Sequence, residues 1–295
     1  MPPLSRRTTR RALLGLLGAS LLATPALAGE TTGSLTEADE TADIWASRTA
    51  GGSALAAASA AGLAAPEKKD IAMRLVSSAE NSSLDWTAQY GYIEDIGDNR
   101  GYTGGIIGFC SGTNDMLKVV ELYTERVPGN VLAEYLPALR AVNGTDSHEG
   151  LDPGFPAAWR AAAADPAFRK AQRDEVDRVY FDPAVERAKQ DGLGTLGQFA
   201  YYDAMVMHGP GTDALSFDGI RERALARATP PAQGGNEKKY LAAFLDARVW
   251  AMKQEKAHHD VTRVETAQRV FLERGNLDLD LPLTWAVYGE RYRLS

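Results

Sequence analysis

Two acidic residues carry the groups that acid–base hydrolysis needs, and their surroundings differ. Glu80 closes the run "IAMRLVSSAE", whereas Asp98 lies in "YIEDIGDNRGYTGG", Tyr92 to Gly105. Ala72, Leu75, Val76, Ala79 and Glu80 recur at helical spacing, so Glu80 shares the apolar face of a helix. It also sits at that helix's C-terminal end. Desolvation and the helix dipole both disfavour its charge, which suits a general acid. Asp98 is flanked by glycines, with Arg100 two residues on and backbone N–H groups close by. Those donors favour its ionised form, which suits a general base. Each residue alone has a plainer reading, a helix-end Glu reaching solvent and a turn Asp. The pairing changes the balance. A neutral and a charged carboxyl across a cleft, with the Thr103 hydroxyl to hold a water, could hydrolyse a glycosidic bond.

Other chemistries fit poorly. "GYTGGIIG" has neither dinucleotide nor phosphate-loop spacing. "DIGDNRGYTGGI" places Arg where a calcium loop needs Gly, and Ile where it needs Glu. "GFCSG" lacks the spacing of a nucleophile elbow. The four histidines form no HExxH, and adjacent His258 and His259 cannot share a helix face, so no zinc site is expected. No metal and no cofactor is implied. Cys110 is the sole cysteine, which rules out an intramolecular disulfide, and beside Phe109 it reads as a buried apolar side chain.

The elements that must position these groups are mostly helical. Tyr90 to Gly112 is the exception, β-prone and broken by glycines, and reads as a small sheet with loops. A helix starts near Asp115 and stops at Pro128-Gly129. Further helices are predicted over 130–141, 155–175, 184–191, 194–207, 216–228 and 236–273. The last is a long spine that could bend near His258-His259. The fold class is mainly α with a small β element, and two lobes joined by long helices fit it.

The first 28 residues should stand outside this fold. Four arginines, the apolar run "ALLGLLGASLLA" and "ALA" ending at Ala28 form an export signal. "TRRALLG" favours the twin-arginine type. Residues 29–65, rich in Ala, Gly, Ser and Thr, read as a flexible tether or pro-segment, and 66–295 as the folded domain. The protein is therefore expected outside the cell and off the membrane, as a monomer. The whole chain carries −7; the signal's four positive charges and the tether's net −4 cancel, so the domain is also −7. That balance argues against nucleic acid and suits a cationic partner.

"IAMRLVSSAENSSLDWTAQYGYIEDIGDNRGYTGGIIGFCSGTNDM" closely resembles the chitosanases of glycoside hydrolase family 46, of the actinobacterial type. "VYFDPAVERAKQDGLGTLGQFAYYDAMVMHGPG" and "TPPAQGGNEKKYLAAFLDAR" resemble them too, in order and without large gaps. The resemblance implies a lysozyme-like fold, two lobes flanking a substrate cleft. It implies endo-hydrolysis of β-1,4-linked glucosamine in chitosan, a cationic polysaccharide, with inversion. By resemblance, Glu80 is the acid, Asp98 the base and Thr103 the residue positioning the water. Asp203, Arg248 and Arg263 form a buried charge network supporting the acid. Asp115 grips a substrate ammonium, and Tyr92, Arg100, His208 and Glu255 line the cleft. Trp86, Trp159 and Trp285 read as core residues rather than sugar platforms. One departure stands out: His259, in "EKAHHDVTR", stands where the resemblance leads one to expect an acidic residue, and a histidine there is expected to weaken cation binding at one end of the cleft as pH falls. Alternatives are a peptidoglycan or chitin hydrolase on the same scaffold, or a secreted sugar-binding protein without catalysis.

Overall fold

The computed structural model describes residues 62–255 and 260–295. The export-signal reading, most of the tether and His259 lie outside the described residues. The tether's last residues, Gly62–Ala65, do pack onto the domain. Leu63 is buried, and its N–H donates to Gln198 Oε1 at 2.8 Å.

Helix α1, Pro66–Glu80, begins with proline at its first turn, where the missing N–H costs nothing. It buries Ala72, Leu75, Val76 and Ala79, the face that the spacing predicts, together with Ser77 and Ser78. After a 3₁₀ turn at Trp86–Gly91 come three short strands, β1 Ile93–Asp95, β2 Tyr102–Gly104 and β3 Phe109–Cys110. They form an antiparallel sheet in chain order, with Asp95 opposite Tyr102 and Thr103 opposite Cys110. The β1–β2 turn carries Asp98. Gly97, Asn99 and Gly101 all have positive φ there, which explains its glycine content.

Helix α2, Asp115–Arg126, stops before Pro128-Gly129 as the sequence indicates. Three predicted helices differ in detail. Over 130–141 a 3₁₀ turn precedes a shorter α3, Leu136–Val142. The predicted 155–175 helix is two, α4 Phe155–Ala162 and α5 Pro166–Val176. Pro166 cannot continue a helix, and Asp165 caps the new one by accepting from Ala167 N at 2.8 Å. Helix α5 runs through a π turn, Asp177–Phe181, into α6, Asp182–Gln190.

Helix α7, Thr195–His208, is buried along its whole length, with α1 and α6 packed against it. Helix α8, Phe217–Leu225, packs on α9, Glu237–Gln254. The predicted 236–273 spine is interrupted: Glu255 takes an extended conformation, and the chain re-enters through a π turn at Val264–Gln268 into α10, Arg269–Glu273. A hairpin of β4, Leu283–Val287, and β5, Glu290–Leu294, closes the fold. Its Trp285 donates to Ser78 Oγ at 3.0 Å, fastening the C-terminus to the helix that bears Glu80. Trp159 and Trp285 are core residues; Trp86 is only partly buried, its indole N–H held by Asp70 Oδ1 at 3.0 Å. Among the described residues no helix is long and apolar enough to cross a membrane. The architecture is mainly helical with a minor sheet, in the lysozyme-like class.

Candidate active site

Glu80 stands at the last turn of α1, where the chain leaves the helix at Asn81. Its side chain is only 3% exposed. Oε1 accepts a short hydrogen bond from Arg263 Nη1, whereas Oε2 is buried with no partner among the described residues. Apolar burial is therefore only part of its setting, because a guanidinium stands against it.

That guanidinium belongs to a buried cluster centred on Asp203. Helix α7 is buried on every side, so a carboxylate in it must find its counter-charges inside the protein. Asp203 Oδ1 accepts from Arg263 Nη2 at 2.8 Å and Nε at 3.0 Å; Oδ2 accepts from Arg248 Nη1 at 2.8 Å. Burial pushes the Asp203 carboxyl up, but Arg263 and Arg248 overcome it and hold it at about 2. Burial likewise works against the charge of Arg263, yet Asp203 and Glu80 raise its value well above the usual one. Arg248, also fully buried, is lowered, since Asp203 offsets its desolvation only in part. Arg263 is thus the bridge between Asp203 and Glu80. Gln268 joins the cluster as well, a residue that sequence reasoning missed. A lone glutamine in "VETAQRV" gives no signal, because a five-residue separation from Arg263 does not predict a shared helix face.

Asp98 is held by a different device. Arg100 folds back on it: Nε donates to Oδ2 at 2.9 Å, Nη2 makes a shorter bond to the same oxygen, and the Arg100 backbone N–H reaches Oδ1 at 3.2 Å. The Asp98 side chain is 4% exposed and that of Arg100 8%. Two nitrogens of one guanidinium thus converge on Oδ2, a charge-assisted contact that fixes the orientation of the side chain.

Thr103, in the middle strand, is buried, and its Oγ1 lies 3.4 Å from Cys110 Sγ across the strand pair. Burial pushes the Cys110 thiol up to about 12, so it stays protonated. Asp115 organises the β3–α2 loop: its Oδ1 accepts from Cys110 N, Thr113 Oγ1 and Met116 N, all within 2.8 Å. None of these contacts uses Oδ2. Burial raises this carboxyl against those hydrogen bonds. Tyr92 donates from its hydroxyl to Glu94 at 3.2 Å. His208 Nδ1 lies 3.4 Å from Glu255 Oε1, joining the ends of α7 and α9. The structure therefore gathers Glu80, Arg263, Asp203 and Arg248 into one network, couples Asp98 to Arg100, and couples His208 to Glu255.

A helical lysozyme-like scaffold presenting one carboxyl at a helix end and another in a sheet turn defines a glycoside hydrolase. The sequence matches the profile of Glycosyl hydrolase family 46 over residues 74–283, and this chain belongs to that family. The chitosanase of Streptomyces sp. strain N174 is 66% identical over 235 residues, covering 80% of this chain and 84% of that protein. The chitosanase of Nocardioides sp. strain N106 is 61% identical over 236 residues, with the same coverage of 80% and 84%. Among solved structures, the co-crystal structure of chitosanase OU01 with substrate superimposes with a TM-score of 0.77 at 61% identity, covering 79% of this chain and 99% of that one.

Proposed function

We propose that this protein is an extracellular endo-chitosanase that cleaves β-1,4 bonds between glucosamine units with inversion. The observation that carries the reading is the contrast between its two carboxyls. Glu80 has one oxygen committed to Arg263 and one without a hydrogen-bond partner among the described residues, so Oε2 can carry the proton given to the leaving oxygen. Asp98 has Oδ2 saturated by Arg100, while Oδ1 takes one 3.2 Å backbone bond and can accept a proton from the attacking water. Inversion needs room for that water, roughly 6.5–9.5 Å between carboxyl groups. Placing them on separate elements makes such a gap simple to build.

Thr103 positions the water and Asp115 Oδ2 meets a substrate ammonium, with Tyr92, Arg100, His208 and Glu255 along the cleft. Glucosamine's amines are cationic near pH 6, so acidic cleft groups favour it over the N-acetylated sugar. The N-terminal 28 residues direct export, and the protein acts as a monomer.

In Glu80→Gln, reducing-end release from chitosan drops by about 10³-fold or more, while oligosaccharide binding persists. Asp98→Asn does the same, and azide restores part of its turnover by replacing the activated water. Residual Glu80→Gln activity within about tenfold of wild type would refute the acid assignment. Initial rates on fully deacetylated chitosan against chitin oligomers separate this reading from a chitin or peptidoglycan hydrolase.

A further inference from the structure

Gln268 is 1% exposed and uses both ends of its amide inside the charge cluster. Nε2 donates to Asp203 Oδ2 at 2.6 Å, and Oε1 accepts from Arg248 Nη1 at 3.0 Å. Arg248 Nη1 also reaches that Oδ2, so the three groups close a ring. We propose that Gln268 is a positioning residue for the catalytic acid, acting through Asp203 and Arg263 to aim Arg263 Nη1 at Glu80. This inference rests on the acid role of Glu80.

A carboxylate offers about four acceptor sites, two on each oxygen. Arg248 at 2.8 Å and Gln268 at 2.6 Å make the short bonds to Asp203 Oδ2, where Arg263 Nε adds only a longer one of 3.1 Å, so Arg263 rests chiefly on Oδ1, with Nη2 at 2.8 Å and Nε at 3.0 Å. With that edge of the guanidinium committed, its remaining corner, Nη1, faces Glu80 Oε1. Without Gln268, Asp203 has a free site on Oδ2, Arg248 loses an acceptor, and Arg263 can slide along the carboxylate.

The backbone supports the same role. Arg263 and Gln268 are five residues apart, and an α-helix sets residues three or four apart on one face. Here the turn widens: the Arg269 N–H bonds to Val264 O, five residues back. That π turn lies between the two side chains that meet on Asp203. An amide also suits the place chemically, since it donates and accepts without altering the balance of two guanidiniums against two carboxyls.

Gln268→Met keeps the bulk and removes both hydrogen bonds. Measured per folded protein, its kcat on chitosan falls about tenfold while KM stays within about twofold. On an aryl glycoside of a glucosamine oligomer, whose phenol leaves without protonation, the deficit shrinks below about threefold, because the acid is no longer needed there. Gln268→Glu keeps the acceptor for Arg248 but donates to Asp203 only when protonated, so its kcat relative to wild type recovers as pH falls. Unchanged kcat in Gln268→Met, or equal losses on both substrates, overturns the proposal. Should Gln268→Met fail to fold, a pH-independent ratio for Gln268→Glu overturns it instead. Glu80→Gln measured alongside separates the two claims: if it still hydrolyses chitosan, the acid assignment itself fails, whatever Gln268 does.

Discussion

Desolvation alone would push the Asp203 carboxyl upward, yet two guanidiniums bring it from 3.8 to about 2. A depressed folded value stabilises the protein above the unfolded value and is lost as pH falls through the folded one. The contribution, on the order of 2 kcal/mol, is therefore complete above about pH 5 and fades toward pH 2. Urea unfolding across that range should show wild type losing stability more steeply than Asp203→Asn. At pH 6 the same variant leaves buried Arg248 with no carboxylate contact among the described residues and Arg263 with Glu80 alone, and it is less stable by about 3–5 kcal/mol. Equal stability of the two proteins at pH 6 would mean that the cluster does not hold the fold. At this scale the sequence singled out Asp203 only through the family resemblance, since an Asp in "LGQFAYYDAMVMH" otherwise reads as a member of an ordinary helix ion pair. It was uninformative about Gln268, whose neutral side chain calls for no ion pair.

The Asp98 turn shows what an element contributes. Gly101 has φ +71°, and a Cβ there would lie 2.3 Å from Ser111 Oγ, which accepts the Tyr102 N–H at 2.9 Å. Gly101→Ala therefore combines backbone strain with a clash across the β2–β3 ladder, costing about 1–3 kcal/mol. Because Asp98 is aimed by that turn, kcat should fall about tenfold or more even where the protein is fully folded. Rates compared below the unfolding transition test this, and wild-type turnover would exclude the turn as the aiming device. The glycine-rich composition made this loop recognisable from sequence. The spine was legible only in part: a bend is expected near His258-His259, but nothing in "MKQEK" places the break at Glu255, since those residues favour helix.

Across the whole molecule the net charge is −7, and the proposed substrate is a polycation. Between about 0.01 and 1 M salt the screening length shrinks from about 30 to about 3 Å. KM for chitosan should rise several-fold over that range while kcat changes little, because the buried pairs at the two carboxyls are shielded from salt. Steady-state rates in graded NaCl check this, and a KM independent of salt would remove electrostatic attraction from the account.

Local rules operating over three or four residues determined the helix of Glu80, the glycine turn of Asp98, the start of the helix at Asp115 and the mainly helical class. Those rules need only periodicity, caps and turn chemistry. Contacts between residues far apart in the chain were decided by the tertiary structure alone. Arg263 meets Glu80 across 183 positions and Asp203 across 60, and Gln268 reaches that carboxylate through a π turn that no residue pattern announces. The physical reason is that a buried charge specifies its need for a partner but not which distant residue will satisfy it. Packing of α7, α9 and the Val264–Gln268 turn makes that choice.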